Sequence, residues 1–166
     1  MLVSKSLLDT MMLQVVLSML EDSSCALDGK DKEEINETAF YRIERLGQNV
    51  GTRLAYSINL PITDSTLELI KLICKDFWLA AFGKPMDSLK TNNRGVFVLG
   101  DEGNGLLDVF MSCPEHKETA CMTLLYLALP CGMIKGALQA HQVNAAVMAD
   151  LTRFPACTFQ VNIVDE

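Results

Sequence analysis

Residues 4–20 are predicted to form a helix that is apolar around most of its circumference. After Ser6, its polar positions are Asp9, Thr10, Gln14 and Ser18, which leave a very wide apolar sector. A surface helix of a small domain needs an apolar stripe only about 100° wide. This helix is therefore either fully buried in its own domain or shared with a partner subunit, and its pattern leaves both open.

The composition indicates one folded domain that spans residues 1–166. With 49% hydrophobic and 21% charged residues, the chain can build a packed core, which excludes wholesale disorder. Lys and Arg number 14 against 21 Asp and Glu, which gives a formal net charge of −7. An acidic chain has no electrostatic footprint for nucleic acid or an anionic membrane surface, so we expect no direct contact with either.

No secretory leader is recognisable in the printed sequence, so we expect a cytoplasmic protein whose six cysteines are reduced thiols. The longest stretch without a charged residue, residues 119–134, has 16 residues and contains Pro130 and Gly132. A membrane-spanning helix requires about 20 predominantly apolar residues. This stretch is therefore predicted to be a core helix.

A second helix is predicted from Asp31, with apolar residues recurring every three or four positions. Gly47 and Gly51 lie one turn apart within it. Each glycine costs about 0.5–1 kcal/mol relative to alanine in a helix, so the pair indicates close approach of another backbone, internal or from a partner. Residues 21–32, rich in Asp, Ser, Gly and Lys, are predicted to be a mobile loop.

The remaining pattern changes from helical to strand-like. A capping box at residues 65–68 opens a third helix, which ends at Gly83. Residues 95–99 and 106–111 are predicted to form a hairpin of two strands. A helix over residues 124–140 follows, then possible strand residues 147–152 and a clearly alternating strand over residues 157–163. Helices followed by paired strands predict an α+β fold, with helices on one face of a small antiparallel sheet.

Motifs that bind nucleotides or metals are almost absent. Residues 100–105 contain glycines without the dinucleotide spacing and precede a predicted strand, which favours a hairpin tip. The acidic side chains there lack the spacing of an EF-hand. A structural zinc needs four ligands, whereas one loose group is present. The candidates weighed for calcium are Asp101, Glu102, Asn104 and Asp108, and those for zinc are Cys113, His116 and Cys121.

A cysteine-dependent enzyme remains a combinatorial possibility, because His116 or His141 could activate one of the thiols. Cys131 lies in an apolar stretch, which raises a thiol pKa and makes the group inert. The chain carries no nucleophile elbow, HExxH motif or P-loop. We therefore expect no enzyme activity, no cofactor and no metal, and an interaction module is the best reading of the pattern.

Several blocks of sequence resemble a known family. Residues 72–78 (LICKDFW) and 82–99 (FGKPMDSLKTNNRGVFVL) closely resemble the subunit-six branch of the TRAPP (transport protein particle) small subunits. Residues 126–138 (YLALPCGMIKGAL), 155–161 (PACTFQV) and 47–54 (GQNVGTRL) agree in the same order. The resemblance covers the chain from about residue 33 to its last residues.

The resemblance implies a twisted four-stranded antiparallel sheet packed on helices, and dimerisation through the first two helices. It implies a heterodimer with the subunit-three paralogue, or a homodimer in isolation, within a particle that has further TRAPP subunits. That particle tethers vesicles between endoplasmic reticulum and Golgi, and its assembly catalyses nucleotide exchange on a Rab GTPase. The resemblance thus places a non-catalytic subunit at the cis-Golgi and endoplasmic reticulum, on membranes only through the complex.

The dimer is expected to use apolar residues of the first helix (residues 1–20) and the second, although each of them could instead belong to the chain's own core. The predicted contact residues are Leu8, Met11, Met12, Val15, Met19, Ile43, Leu46, Gly47 and Val50. The subunit-three paralogue carries an acylated cysteine just ahead of its third helix. Residues 59–65 of this chain contain no cysteine, so acylation there is not expected. A carrier of a non-covalent hydrophobic ligand, bound between helices and sheet, is the alternative.

Overall fold

Helices precede and flank a four-stranded antiparallel sheet in the computed structural model, which describes residues 5–26, 31–92, 94–102, 107, 110, 116–153 and 155–164. The predicted α+β class is therefore confirmed, with the helices on one face of the sheet. The elements are α1 (Lys5–Ala26), α2 (Lys32–Ser57), α3 (Thr66–Leu72), a π-helical turn (Ile73–Phe77), α4 (Trp78–Phe82), β1 (Ser88–Thr91), β2 (Val96–Asp101), α5 (His116–Gln139), β3 (Ala145–Arg153) and β4 (Ala156–Ile163).

Helix α1 continues past residue 20 to Ala26, so the prediction of a loop beginning at Glu21 was wrong. Ser23 is fully buried, and its hydroxyl donates to the carbonyl oxygen of Met19 at 2.7 Å. Serine and aspartate favour loops because their side chains compete with helical hydrogen bonds. Here the competing group bonds back to the preceding turn of its own helix, and the helix continues.

Helices α2 and α5 pack backbone against backbone through two glycine pairs. A Cβ atom on Gly47 would lie 3.1 Å from the Cα of Gly132, and one on Gly51 would lie 2.6 Å from the Cα of Met133. Gly136 faces α2 in the same way. The close approach predicted for Gly47 and Gly51 is therefore internal to the chain.

Polar groups flank this glycine contact. The Thr52 hydroxyl lies 3.0 Å from the carbonyl oxygens of both Gln48 and Gly136, so it joins α2 to the backbone of α5. Lys135 Nζ of α5 lies 3.5 Å from Glu44 Oε1 of α2. Helix α5 runs unbroken through Pro130. The window from Cys121 to Gln139 is apolar and long enough to span a membrane, but 78% of it is buried inside the protein, as expected of a core helix.

A π-helical turn lies between α3 and α4. The Trp78 N–H donates to the carbonyl oxygen of Ile73, five residues back, and Gly83 ends α4 with a φ of 80°. Buried pairs repeat every four residues along this segment: Leu69 and Ile70, Ile73 and Cys74, Phe77 and Trp78. A four-residue repeat drifts by about 40° around an α-helix at each step. The π-turn takes up one extra residue and keeps these pairs on the face that meets the sheet.

The strand order is β1-β2-β4-β3, with every neighbouring pair antiparallel. Strand β4 alternates as predicted, with Cys157, Phe159 and Val161 buried and Gln160 exposed. Because β1 and β4 are the two neighbours of β2, the predicted hairpin between residues 95–99 and 106–111 is wrong. Only two residues of the second predicted strand are described, Leu107 and Phe110, and the Phe110 N–H donates to Leu107 O at 3.0 Å.

The turn after α4 is tied to the end of β2 by ionic contacts. The Lys84 ammonium contacts the carboxylate of Asp101, which is 2% exposed, and lies 2.9 Å from Asp87 Oδ2. The same Asp87 oxygen accepts the Glu102 N–H at 2.6 Å, and the Asp87 N–H donates to Gly100 O at 2.9 Å. We call Lys84, Asp87 and Asp101 the ionic clip.

Candidate subunit-pairing surface

One side of α1 packs into the core of the chain. Met12 is 4% exposed, Val16 is fully buried, and both belong to the main hydrophobic cluster. Leu8, Val15 and Met19 beside them are half-buried. This side of α1 lies mainly against α2.

The opposite side of α1 lies in solvent and carries large apolar side chains among the exposed polar residues Thr10, Gln14 and Ser18. Leu7 is 52% exposed and Met11, one turn further along, is 57% exposed. Leu17 contributes a third large side chain at 37%. The wide apolar sector is therefore not absorbed by the chain's own core, and of the two readings of the first helix, full burial does not hold for the single chain.

The predicted contact residues of α2 also divide into buried and partly exposed positions. Ile43 is fully buried, and Gly47 lies against the backbone of Leu129 in α5. Leu46 is half-buried, and Val50 is 41% exposed. The side of α2 that carries Leu46 and Val50 therefore keeps apolar surface available.

Burial thus separates the nine predicted contact residues into two groups. Met12, Ile43 and Gly47 are covered by their own chain, so they have no surface to offer a partner in this conformation. Met12 of α1 lies in the main hydrophobic cluster, and the buried side of α2 packs against α5. The six with accessible surface are Leu8, Met11, Val15, Met19, Leu46 and Val50. Leu7 and Leu17 were not in the predicted set, although Leu7 stands one turn before Met11 and could have been found by that spacing.

The cysteines described in the core are poor nucleophiles. Burial raises the pKa of Cys74, Cys131 and Cys157 to about 12 in each case. Cys25 is exposed and Cys121 is half-buried. Some of the candidate ligands lie outside the described residues: Cys113 and the His116 side chain for zinc, and Asn104 and Asp108 for calcium. The structure therefore describes neither candidate ligand set in full. Within the described part of the chain, no group of three or more His, Cys, Asp or Glu residues could hold a metal ion.

The space between α4 and the sheet is filled by aromatic rings. The ring centroids of Trp78 and Phe82 lie 4.3 Å apart, and those of Trp78 and Phe159 lie 5.4 Å apart. Trp78 and Phe159 are fully buried. A hydrophobic ligand lying between this helix and the sheet would have to displace these rings.

Comparisons with known proteins agree with this architecture. The family model described as transport protein particle (TRAPP) component matches residues 8–164. Trafficking protein particle complex subunit 6b of Danio rerio is 35% identical over 133 residues, which cover 79% of this chain and 83% of the relative. Subunit 6A of Mus musculus is 39% identical over 119 residues, 72% of each chain.

A solved structure shares the fold at low sequence identity. It is a trafficking protein particle complex subunit 3 from Naegleria fowleri, covalently bound to palmitic acid. The TM-score is 0.70 at 18% identity, covering 97% of this chain and 95% of that one. The family model and the curated relatives therefore show that this chain belongs to the TRAPP component family, in its subunit-six branch.

Proposed function

We propose that the chain is a non-catalytic scaffold subunit of a vesicle-tethering complex. It acts in the cytoplasm on transport between endoplasmic reticulum and Golgi, and supports nucleotide exchange on a Rab GTPase through the assembly. Family membership supports a role in a trafficking complex. The high pKa of three core thiols argues against a cysteine nucleophile among them.

The scaffold step is pairing with a subunit-three-like TRAPP paralogue, with a homodimer as the arrangement for the isolated chain. The observation that carries this proposal is the exposure of large apolar side chains on α1, where Leu7 and Met11 are both more than half exposed. Leu46 and Val50 of α2 extend the surface. Permanent interfaces bury about 2,000 Å² or more and are as apolar as a protein core. Two long helices can supply an area of this size more readily than one.

The test is co-purification of the chain with the subunit-three-like paralogue, followed by native mass measurement. Leu7→Asp with Met11→Asp places two charges in the proposed contact and is expected to abolish the heterodimer. Met148→Asp is the matched control, because Met148 is also 57% exposed but lies on strand β3. Met12 is unsuitable because it is buried in the chain's own core. A heterodimer that survives the double substitution at unchanged affinity would contradict the proposal.

A further inference from the structure

Helix α2 presents arginine and tyrosine side chains on the side opposite its buried stripe. Tyr41 is 66% exposed and Tyr56 is 65% exposed. Arg42, Arg45 and Arg53 lie between them and are also exposed. We call these five residues the arginine–tyrosine strip. It runs for about 22 Å, because each helical residue advances about 1.5 Å.

The strip is a local positive charge on an acidic chain. Three of the five arginines of the sequence lie within it, although the formal net charge is −7. Glu44 lies beside the strip, and its Oε1 is 3.5 Å from Lys135 Nζ. Between Glu44 and Asp64 the sequence has no acidic residue. Within the described part of the chain, none of the three arginines forms an ion pair.

The strip borders the proposed pairing surface but shares no residue with it. Successive residues of an α-helix are about 100° apart, so Arg45 points well away from its neighbour Leu46. Tyr41 and Tyr56 lie on the same side as Arg45, whereas Arg42 and Arg53 lie nearer to Leu46 and Val50. The inference does not depend on the proposed function, and the experiment below measures both.

We propose that the arginine–tyrosine strip docks an acidic segment of a partner protein. A guanidinium group binds a carboxylate through two parallel hydrogen bonds, and unpaired exposed arginines are available for such bonds. Arginine and tyrosine are also the residues that most often dominate binding energy in protein interfaces. Helices that lie on membranes combine Lys and Arg on a polar face with Trp, Phe or Leu that insert into the lipid, and the strip contains none of these three apolar residues. The strip would accommodate about seven residues of an extended acidic segment.

The first experiment measures binding of a defined acidic probe. A fluorescein-labelled peptide of about twelve residues, half of them Asp or Glu, is titrated with the full chain at about 0.1 M salt. The variant Arg42→Glu/Arg45→Glu/Arg53→Glu is expected to bind at least about tenfold more weakly, since two or three charged hydrogen bonds are lost. The control Lys71→Glu/Lys75→Glu/Lys90→Glu changes the net charge equally at exposed sites elsewhere and is expected to bind as the wild type does.

The outcomes separate three explanations. Loss of binding in the arginine variant alone supports the proposal, and equal loss in the lysine control overturns it as a net-charge effect. Phosphatidylserine vesicles are tested in parallel, and arginine-dependent vesicle binding without peptide binding assigns the strip to lipid and overturns the proposal. The heterodimer mass is recorded for each variant. If the arginine variant also loses its paralogue, the strip belongs to the pairing surface and the proposal fails, whereas failure of the Leu7/Met11 test leaves it standing.

A second experiment locates the natural partner segment. Tyr41→p-benzoylphenylalanine in the full chain allows photo-cross-linking in cells, and mass spectrometry identifies the cross-linked peptide. A peptide rich in Asp and Glu, not captured from the same substitution at Met148, supports the proposal. A basic or uncharged peptide, or capture shared with the Met148 position, contradicts it.

Discussion

The Met86 N–H donates to the carbonyl oxygen of Cys74 at 2.8 Å. In a regular α-helix that oxygen would accept the N–H of Trp78. The π-turn diverts the Trp78 N–H to Ile73, so the carbonyl of Cys74 becomes available to the chain beyond α4. The same extra residue therefore aligns the buried face of the helix and fixes the turn that carries Lys84.

Deletion of Lys75 is expected to convert the π-turn into regular α-helix without exposing the core. The spacings between the three buried pairs become four and three, which suits an α-helix, and Lys75 itself is exposed. The variant is expected to lose the hydrogen bond between Met86 and Cys74, which lowers the free energy of unfolding by about 1 kcal/mol. Urea denaturation measures this difference. As a control, deletion of exposed Asn49 in α2 rotates all later residues by about 100° and is expected to prevent folding. If both deletions unfold the chain, the π-turn is not a simple one-residue insertion.

Gly47→Ala is expected to lower the free energy of unfolding by about 2 kcal/mol, as measured by urea denaturation. The new methyl group would overlap the carbonyl oxygen of Leu129, and a backbone in a packed helix pair cannot move aside. Alanine is otherwise the better helix former by about 0.5–1 kcal/mol. Asn49→Ala, at an exposed position half a turn away, also introduces the better helix former but creates no overlap, and is expected to be neutral or stabilising. A stabilised Gly47→Ala variant would show that α2 and α5 can separate.

Removal of the cation of the ionic clip by Lys84→Met is expected to cost about 3 kcal/mol at neutral pH, because the buried carboxylate of Asp101 loses its contact with the ammonium. Burial disfavours charged Lys84, but hydrogen bonds and charge from Asp101 and Asp87 outweigh it and raise the lysine pKa. The Lys84 hydrogen bond lowers the pKa of Asp87.

The pH dependence follows from these directions. The contribution of Lys84 is complete below the ordinary lysine pKa near 10.5 and is lost as pH rises through the raised folded value. The contribution of Asp87 is complete above about pH 3.9 and is lost as pH falls through its lowered value. Urea denaturation of wild type and Lys84→Met is expected to show a constant difference between about pH 6 and 9 that shrinks at alkaline pH. A difference that does not change at alkaline pH would refute the role of the ammonium.

Iodoacetamide at about pH 7.5 is expected to alkylate Cys25 and to spare Cys74, Cys131 and Cys157. Each of these three thiols has a pKa of about 12 because it is buried, so its reactive thiolate is scarce as well as inaccessible. Mass spectrometry of the digested chain gives the modification at each site. In guanidinium all sites are expected to react, which controls for the reagent. Rapid, selective labelling of one core thiol in the folded chain would revive the cysteine-enzyme alternative.

Alternation and periodicity were sufficient to predict α2 and β4, whose buried positions follow one strict period. They failed for β1, because a four-residue edge strand with polar residues such as Lys90 carries little alternation. They also failed for the partner of β2. Local turn residues suggested residues 106–111, whereas β2 pairs with β4, about 60 residues later. Pairing at that distance leaves no short-range pattern.

The proposed pairing surface was predictable only in outline. A helix that is apolar nearly all round does not reveal which side meets its own core, so Met11 and Met12 were equally good candidates. Two glycine pairs with the same four-residue spacing, Gly47 with Gly51 and Gly132 with Gly136, were visible in the sequence. Their mutual contact would have assigned Ile43 and Gly47 to the interior, but the two pairs lie about 85 residues apart.

Strand β3 lies at the border of the sheet, so its outward backbone groups could in principle recruit a strand from another molecule. The irregularity between Asp150 and Arg153 interrupts the ladder near the end of this nine-residue strand. The acidic side chain of Asp150 and the irregular ladder on this edge strand discourage the addition of a strand from another molecule. The chain can thus present apolar helix surface for assembly while this edge of its sheet resists polymerisation.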